Sequence, residues 1–275
     1  MDIRKLMNQS FLTRTISGIV LVIVLLTVGL LGGDILYLFT LAISLIGVSE
    51  MLGVMKLKKS LAGCVAYAGT ICYYVLIRAY DTEYTEVFII GYLMLILGLY
   101  VFTYPKYKTE EILLSFFSVI YVAILMSFIY LVRMYDDGNI MVWLIFICSW
   151  GCDTCAYLAG VTCGKHKMAP ILSPKKSVEG GIGGILGAVL LGALYGFIMR
   201  DHASYFENPV LMYGLICGIG GLISMVGDLA ASAVKRNYGI KDYGTLIPGH
   251  GGILDRFDSV LFTAPVIYYL ITFLA

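Results

Sequence analysis

Residues 228–259 read DLAASAVKRNYGIKDYGTLIPGHGGILDRFDS. This is the one long stretch of an apolar chain that gathers cations, carboxylates, glycines and a histidine together. Its first third reads as a helix leaving a membrane. Asp228, Ser232 and Lys235 stand at i, i+4 and i+7 and so share one helical face. The middle is a loop, broken by Gly239, Gly244, Pro248, Gly249, Gly251 and Gly252. The last third, LDRFDS, enters another apolar run, where Asp255 and Asp258 face the same way once the helix has begun. Two carboxylate clusters thus flank a loop carrying Lys235, Arg236, Lys241 and Arg256. Hard oxygen ligands suit Mg²⁺ and fixed cations balance phosphate charge, so the pattern suits a metal-dependent site for phosphates.

The composition around this stretch is that of a membrane protein. Of 275 residues, 60% are hydrophobic and 13% charged, and the mean hydropathy is +0.89. A soluble domain is about half apolar and about a quarter charged. A net charge of +1 gives no reason to expect a nucleic-acid partner. The 7 cysteines are scattered and odd in number, which implies no disulfide framework. A membrane helix needs roughly 20 apolar residues. Runs of that length lie at 15–32, 35–55, 61–79, 87–103, 112–132, 140–160, 181–199, 209–233 and 257–274. The expected fold is therefore an all-α polytopic membrane protein of about nine transmembrane helices, with one integral membrane domain over 1–275. The first run follows Arg4, Lys5 and Arg14 like a signal peptide. It is as long as a full span and lacks a clear cleavage site, so it reads as an uncleaved first span.

Loop cations set the direction. With the N-terminus in the cytoplasm, the inside segments hold Arg4, Lys5, Arg14, Lys56, Lys58, Lys59, Lys106, Lys108, Lys165, Lys167, Lys175, Lys176, Lys235, Arg236, Lys241 and Arg256. Only Arg78, Arg133 and Arg200 fall outside. The C-terminus is then outside, and the 228–259 loop faces the cytoplasm, where nucleotides are. An inner or plasma membrane fits this topology, and so does the endoplasmic reticulum. The outside links are short and acidic and are assigned no chemistry.

Three acids fall at membrane depth, where an ionised carboxylate costs about 2.5–3.5 kcal/mol on insertion scales and usually has a partner or a role. Glu50, near the inside end of its span, reads first as an interfacial acid near Lys56, with a role of its own left open. Asp228 belongs to the stretch already described. Asp153 lies in SWGCDTCAYLAG, with pocket and structural roles both open. Cys152 and Cys155 have a CxxC spacing, but no second pair completes a zinc site, so they read as helix packing. After this span comes GKHKMAPILSPKKSVEGG, in which Pro174 is expected to open a helix that the serines cap. A helix N-terminus beside Lys175 and Lys176 is an anion site. Gly180/Gly184 and Gly183/Gly187 have the small-xxx-small spacing of close helix packing.

The motif residues Ser232, Lys235-Arg236, Lys241-Asp242, Gly244, Pro248, His250-Gly251-Gly252 and Asp255-Arg256-Phe257-Asp258 stand at the spacing of the phosphatidate cytidylyltransferase (CDP-diacylglycerol synthase) signature. Asp153 with Ala156-Tyr157, and Ser173-Pro174-Lys175-Lys176-Ser177 with Glu179-Gly180, resemble further stretches of that family. The resemblance implies transfer of a cytidylyl group from CTP to phosphatidate, with release of pyrophosphate, in a homodimer. It implies Mg²⁺, one ion or two, held by Asp228 and Asp255, with Asp258 supporting. Lys235, Arg236, Lys241 and Arg256 would bind phosphates, with Ser232 binding phosphate or capping locally. His250, Gly251 and Gly252 would let backbone approach the nucleotide. Lys175 and Lys176 would take a lipid or triphosphate anion, and Asp153 is a candidate pocket residue. Two other readings stay open: a CTP-dependent lipid kinase of the polyprenol type, and an ion-coupled transporter using Asp153 and Asp228.

Overall fold

The computed structural model describes residues 3–274, with side chains described from residue 12 onward, so the side chains of Arg4 and Lys5 lie outside the described residues. Helix α1 (Ile3–Leu31) ends at Gly32 and Gly33, whose φ values of +62° and +51° turn the chain into α2 (Gly33–Val54). Only glycine enters this left-handed region without steric cost, which is why two helices meet here with no loop between them. Helix α3 (Leu61–Tyr80) opens on Ser60, whose side chain accepts from the Gly63 N–H. Helix α4 (Thr85–Thr103) precedes the turn containing Pro105. Helix α5 (Thr109–Ser118) passes through a π-helical segment, Val119–Ile124, into α6 (Leu125–Arg133). The next span repeats this device: α7 (Gly138–Phe146), a π-helical turn at Ile147–Gly151, then α8 (Cys152–Cys163). A β-hairpin follows, β1 (Lys167–Ala169) antiparallel to β2 (Ser173–Ser177). Then come α9 (Val178–Met199), α10 (Pro209–Asn237) and α11 (Leu254–Leu274).

Among the described residues, nine helices are long and apolar enough to cross a membrane, and they are the nine expected runs with starts earlier by up to three residues. One expectation fails. Pro174 does not open a helix but lies in β2, and α9 begins only at Val178. Proline has no N–H and favours extended backbone for itself and its predecessor, so the edge of a two-stranded hairpin suits it. Ser177 does cap α9, accepting from the Gly180 N–H at 3.1 Å.

The chain divides into two compact units. The first comprises residues up to Ser127 together with Ile240–Arg256. Its core packs Val48, Met51, Leu52, Ala66, Tyr73, Tyr74, Ile96, Ile112 and Val122, all 1% exposed or less. Two of the buried phenols find hydrogen-bond partners: Tyr74 pairs with Ser44 (2.8 Å), and Tyr92 donates to the Ser115 carbonyl (3.4 Å). The second unit comprises Phe128–Gly239 and the chain from Phe257. Here α9 lies close against α8 and α10, as the small-residue spacing predicts. Gly183 faces Ala159, Gly184 faces Ala156, and Gly192 faces Cys217, each with no room for a Cβ.

Candidate active site

In the second unit, α8, β2, α9 and α10 bring charged side chains to one cavity. The π-helical turn at Ile147–Gly151 ends two residues before Asp153. Such turns rotate the residues that follow relative to a continuous α-helix. Asp153, Lys175, Lys176 and Asp228 line a cavity of about 450 Å³ whose other walls include Tyr157, Val161, Met168 and Met225. Lys176 Nζ forms an ion pair with Asp228 Oδ2, each side chain being 24% exposed. Lys235, two turns further along the same face of α10, reaches Asp258 Oδ2 at 3.9 Å, with both side chains less than 15% exposed. Asp258 also feels the charges of Asp228 and Asp153. Three carboxylates and three lysines therefore share this end of the second unit. Ser232 is half-buried on α10, while Lys175 and Arg236 are exposed.

This donor set fits a hard divalent cation. Carboxylates near enough to interact, already balanced by lysines, offer the oxygen chemistry Mg²⁺ takes, with water and phosphate oxygens completing its shell. Among the described residues no three His, Cys, Asp or Glu side chains form a ready-made metal cage. Mg²⁺ rarely uses an all-protein cage, so two acids plus substrate oxygens suffice.

The first unit holds the loop. Asp255, 7% exposed, accepts through Oδ2 from the Tyr243 N–H (2.8 Å) and the Gly252 N–H (2.9 Å). Gly251 has φ +88°, and a Cβ there would sit 2.8 Å from the same oxygen. Arg256 Nε donates to the His250 carbonyl (3.0 Å). His250 Nδ1 shares a hydrogen bond with Ser17 Oγ (2.8 Å), and Ser17 Oγ also donates to the Pro248 carbonyl (2.9 Å). Burial, then the nearby cations Arg256 and Arg14, hold the His250 imidazole below the ordinary histidine range. Lys241 and Asp242 are exposed. Asp242, Tyr243, Gly244 and Thr245 border a cavity of about 760 Å³ together with Glu50, Lys58 and Tyr67.

The sequence reading misplaced Glu50. It is not an interfacial acid beside Lys56 but a buried one, 4% exposed, accepting from the backbone of Ile253 (3.0 Å) and Leu254 (2.9 Å). Its depth in an apolar span was the available signal, but nothing local names a partner so far along the chain. Ser17 and Tyr243 carried no signal at all, since both act through contacts distant in sequence. Of the candidate residues, Asp153, Lys175, Lys176 and Asp228 meet at one cavity, and Lys235 pairs with Asp258. His250, Gly251, Gly252, Asp255 and Arg256 form the hydrogen-bonded loop of the first unit.

Comparison with known proteins gives this arrangement its relatives. Residues 12–274 match the cytidylyltransferase family. The chain is 32% identical to the phosphatidate cytidylyltransferase of Staphylococcus epidermidis (strain ATCC 35984) over 263 residues, covering 94% of this chain and 98% of that protein. The phosphatidate cytidylyltransferase of Staphylococcus aureus (strain COL) is similar to the same extent, 32% over 263 residues with 94% and 98% covered. That of Staphylococcus saprophyticus is 32% identical over 264 residues, again with 94% and 98% covered. A match over nearly the whole length means that the chain belongs to the cytidylyltransferase family.

Proposed function

We propose that this chain transfers the cytidylyl group of CTP to phosphatidate, forming CDP-diacylglycerol and pyrophosphate in phospholipid biosynthesis. The observation that carries the reading is the second unit's cavity, which sets Lys175 and Lys176 against an apolar wall of Tyr157, Val161 and Met225. That pairing suits an anionic phosphate with acyl chains attached. The relatives' name supplies the reaction.

The chemistry suits these residues. A phosphate monoester has a second pKa near about 6, so phosphatidate is largely a dianion at neutral pH and needs no strong base. Its oxygen attacks the α-phosphorus of CTP. The new P–O bond forms as the bond to the β-phosphate's bridging oxygen breaks, and that electron pair leaves with pyrophosphate. The enzyme's task is then to align two anions and balance charge on the leaving group. In this account Lys175 and Lys176 take the lipid phosphate or the triphosphate tail. Lys235, Arg236, Lys241 and Arg256 bind the remaining phosphates, with Ser232 beside them. His250, Gly251 and Gly252 admit the nucleotide to backbone contact. Asp228, supported by Asp258, would hold Mg²⁺ in the second unit and Asp255 would hold it in the first, and the ion would supply charge neutralisation at the phosphates. Asp153 helps to hold the positive charge of the lysines in place. The protein sits in an inner or plasma membrane as a homodimer, with its N-terminus and the 228–259 loop in the cytoplasm and its C-terminus outside.

Following which phosphate travels tests the reaction. With purified protein, phosphatidate and Mg²⁺, label on the α-phosphate of CTP passes to lipid and label on the γ-phosphate leaves as pyrophosphate. Transfer of the γ-label to lipid, with CDP released, would instead mean a kinase.

A further inference from the structure

Glu50 lies four residues before the end of α2, 203 positions upstream of Ile253. Its Oε1 accepts from the Ile253 N–H and its Oε2 from the Leu254 N–H. Helix α11 begins at Leu254, so these are donors that no partner within the helix can satisfy. A Ser, Thr, Asp or Asn at the cap position would itself accept from an N–H two or three residues further on, but isoleucine stands at 253 and supplies no acceptor. The cap is therefore delivered from a different helix. Two loop glycines close around it: a Cβ at Gly244 or at Gly252 would overlap Glu50 Oε1. The next residue, Asp255, is in turn tied to the N–H groups of Tyr243 and Gly252. Both ends of the loop thus converge on two buried carboxylates, one from α2 and one from α11.

We propose that Glu50 is a positioning residue, a cap supplied in trans that locks residues 240–254 so that Asp255 and Arg256 are held in one orientation. The geometry also gives Gly244 and Gly252 a second role: they make room for this carboxylate, besides any closeness to a nucleotide. The importance of Glu50 for turnover rests on the transferase reading, whereas the lock itself does not.

Hydrogen–deuterium exchange on the full chain in detergent, for wild type, Glu50→Ala and Glu50→Gln, tests both parts beside steady-state transfer kinetics. Peptides covering 240–254 should exchange about tenfold to a hundredfold faster in Glu50→Ala, while peptides of α9 stay unchanged. Turnover should fall at least about tenfold at temperatures where the variant remains folded. Glutamine keeps one acceptor oxygen and should be intermediate in both readouts. If Glu50→Ala does not fold, Glu50→Gln decides alone. Loop exchange at the wild-type rate, with turnover per folded molecule unchanged, overturns the proposal. Wild-type protein that transfers nothing would remove the transferase reading, while faster loop exchange in the variants would still uphold the cap.

Discussion

Replacing Lys176 by methionine removes an ammonium group and keeps most of the side chain's length, so it isolates the charge on Asp228. In the structure Lys176 Nζ sits on Asp228 Oδ2 with both side chains 24% exposed. Two unit charges about 4 Å apart at an effective dielectric of about 20 attract by about 4 kcal/mol. Desolvation of both groups and contact with water offset most of that, leaving a coupling of about 1–3 kcal/mol. Lys176→Met should therefore lower the unfolding midpoint by a few degrees, since each ~1 kcal/mol moves a chain of this size by about 2–4 °C. Asp228→Asn should do the same, and the double variant should be no worse than either single one. The two single variants should also lose transfer activity, by about a hundredfold or more, because each removes a charge aimed at phosphates or at the ion bound with them. Thermal unfolding in detergent and labelled-CTP transfer read the two effects separately. If Asp228 holds a divalent ion as proposed, Lys176 competes with that ion for the carboxylate. Added Mg²⁺ should accordingly raise the midpoint of Lys176→Met more than that of wild type. Additive losses in the double variant, with no difference in Mg²⁺ response, would refute the pairing and its link to the ion.

Burial, then Arg256 and Arg14, lower the pKa of His250 below its ordinary value. The unfolded chain therefore binds a proton more readily than the folded one. Stability should be intact above the ordinary histidine value of about 6.5 and should decline as pH falls below it. His250→Gln should flatten a plot of unfolding midpoint against pH between 7 and 5. Gly251→Ala forces a side chain into φ +88° with its Cβ 2.8 Å from Asp255 Oδ2. It should cost about 1–3 kcal/mol of stability and reduce transfer, read by the same two assays. Ser177→Ala removes the acceptor for the Gly180 N–H at the start of α9. It should cost about 1 kcal/mol in chemical unfolding, and Ser177→Asn should restore most of it.

The spans were legible because twenty apolar residues bounded by charge have few other readings in a chain this hydrophobic. The shared face of Asp228 and Lys235 was legible because one helix fixes it, and α10 does carry both. What escaped the sequence depends on contacts between distant residues or on local geometry without a compositional mark. The segment Ser173–Ser177 is too short and polar to show strand alternation, so its proline suggested a helix start instead. The π-helical turns at Val119–Ile124 and Ile147–Gly151 leave the apolar pattern intact. Nothing near Lys176 names Asp228 as its partner. Glu50 was conspicuous for its depth, yet a neighbouring lysine offered a simpler partner than two backbone amides beyond residue 250. The signature thus named the candidate residues, while their supports come from α1, α2 and the hairpin.

The two charged clusters are proposed to run cytidylyl transfer to a lipid phosphate. The most direct test is α-labelled CTP with phosphatidate and Mg²⁺, using wild type, Asp228→Asn and Asp255→Ala, each confirmed folded by thermal unfolding. Label is expected in the lipid phase with wild type, with nearly all of it lost in both variants. Label reaching lipid at the wild-type rate in either folded variant would contradict this proposal.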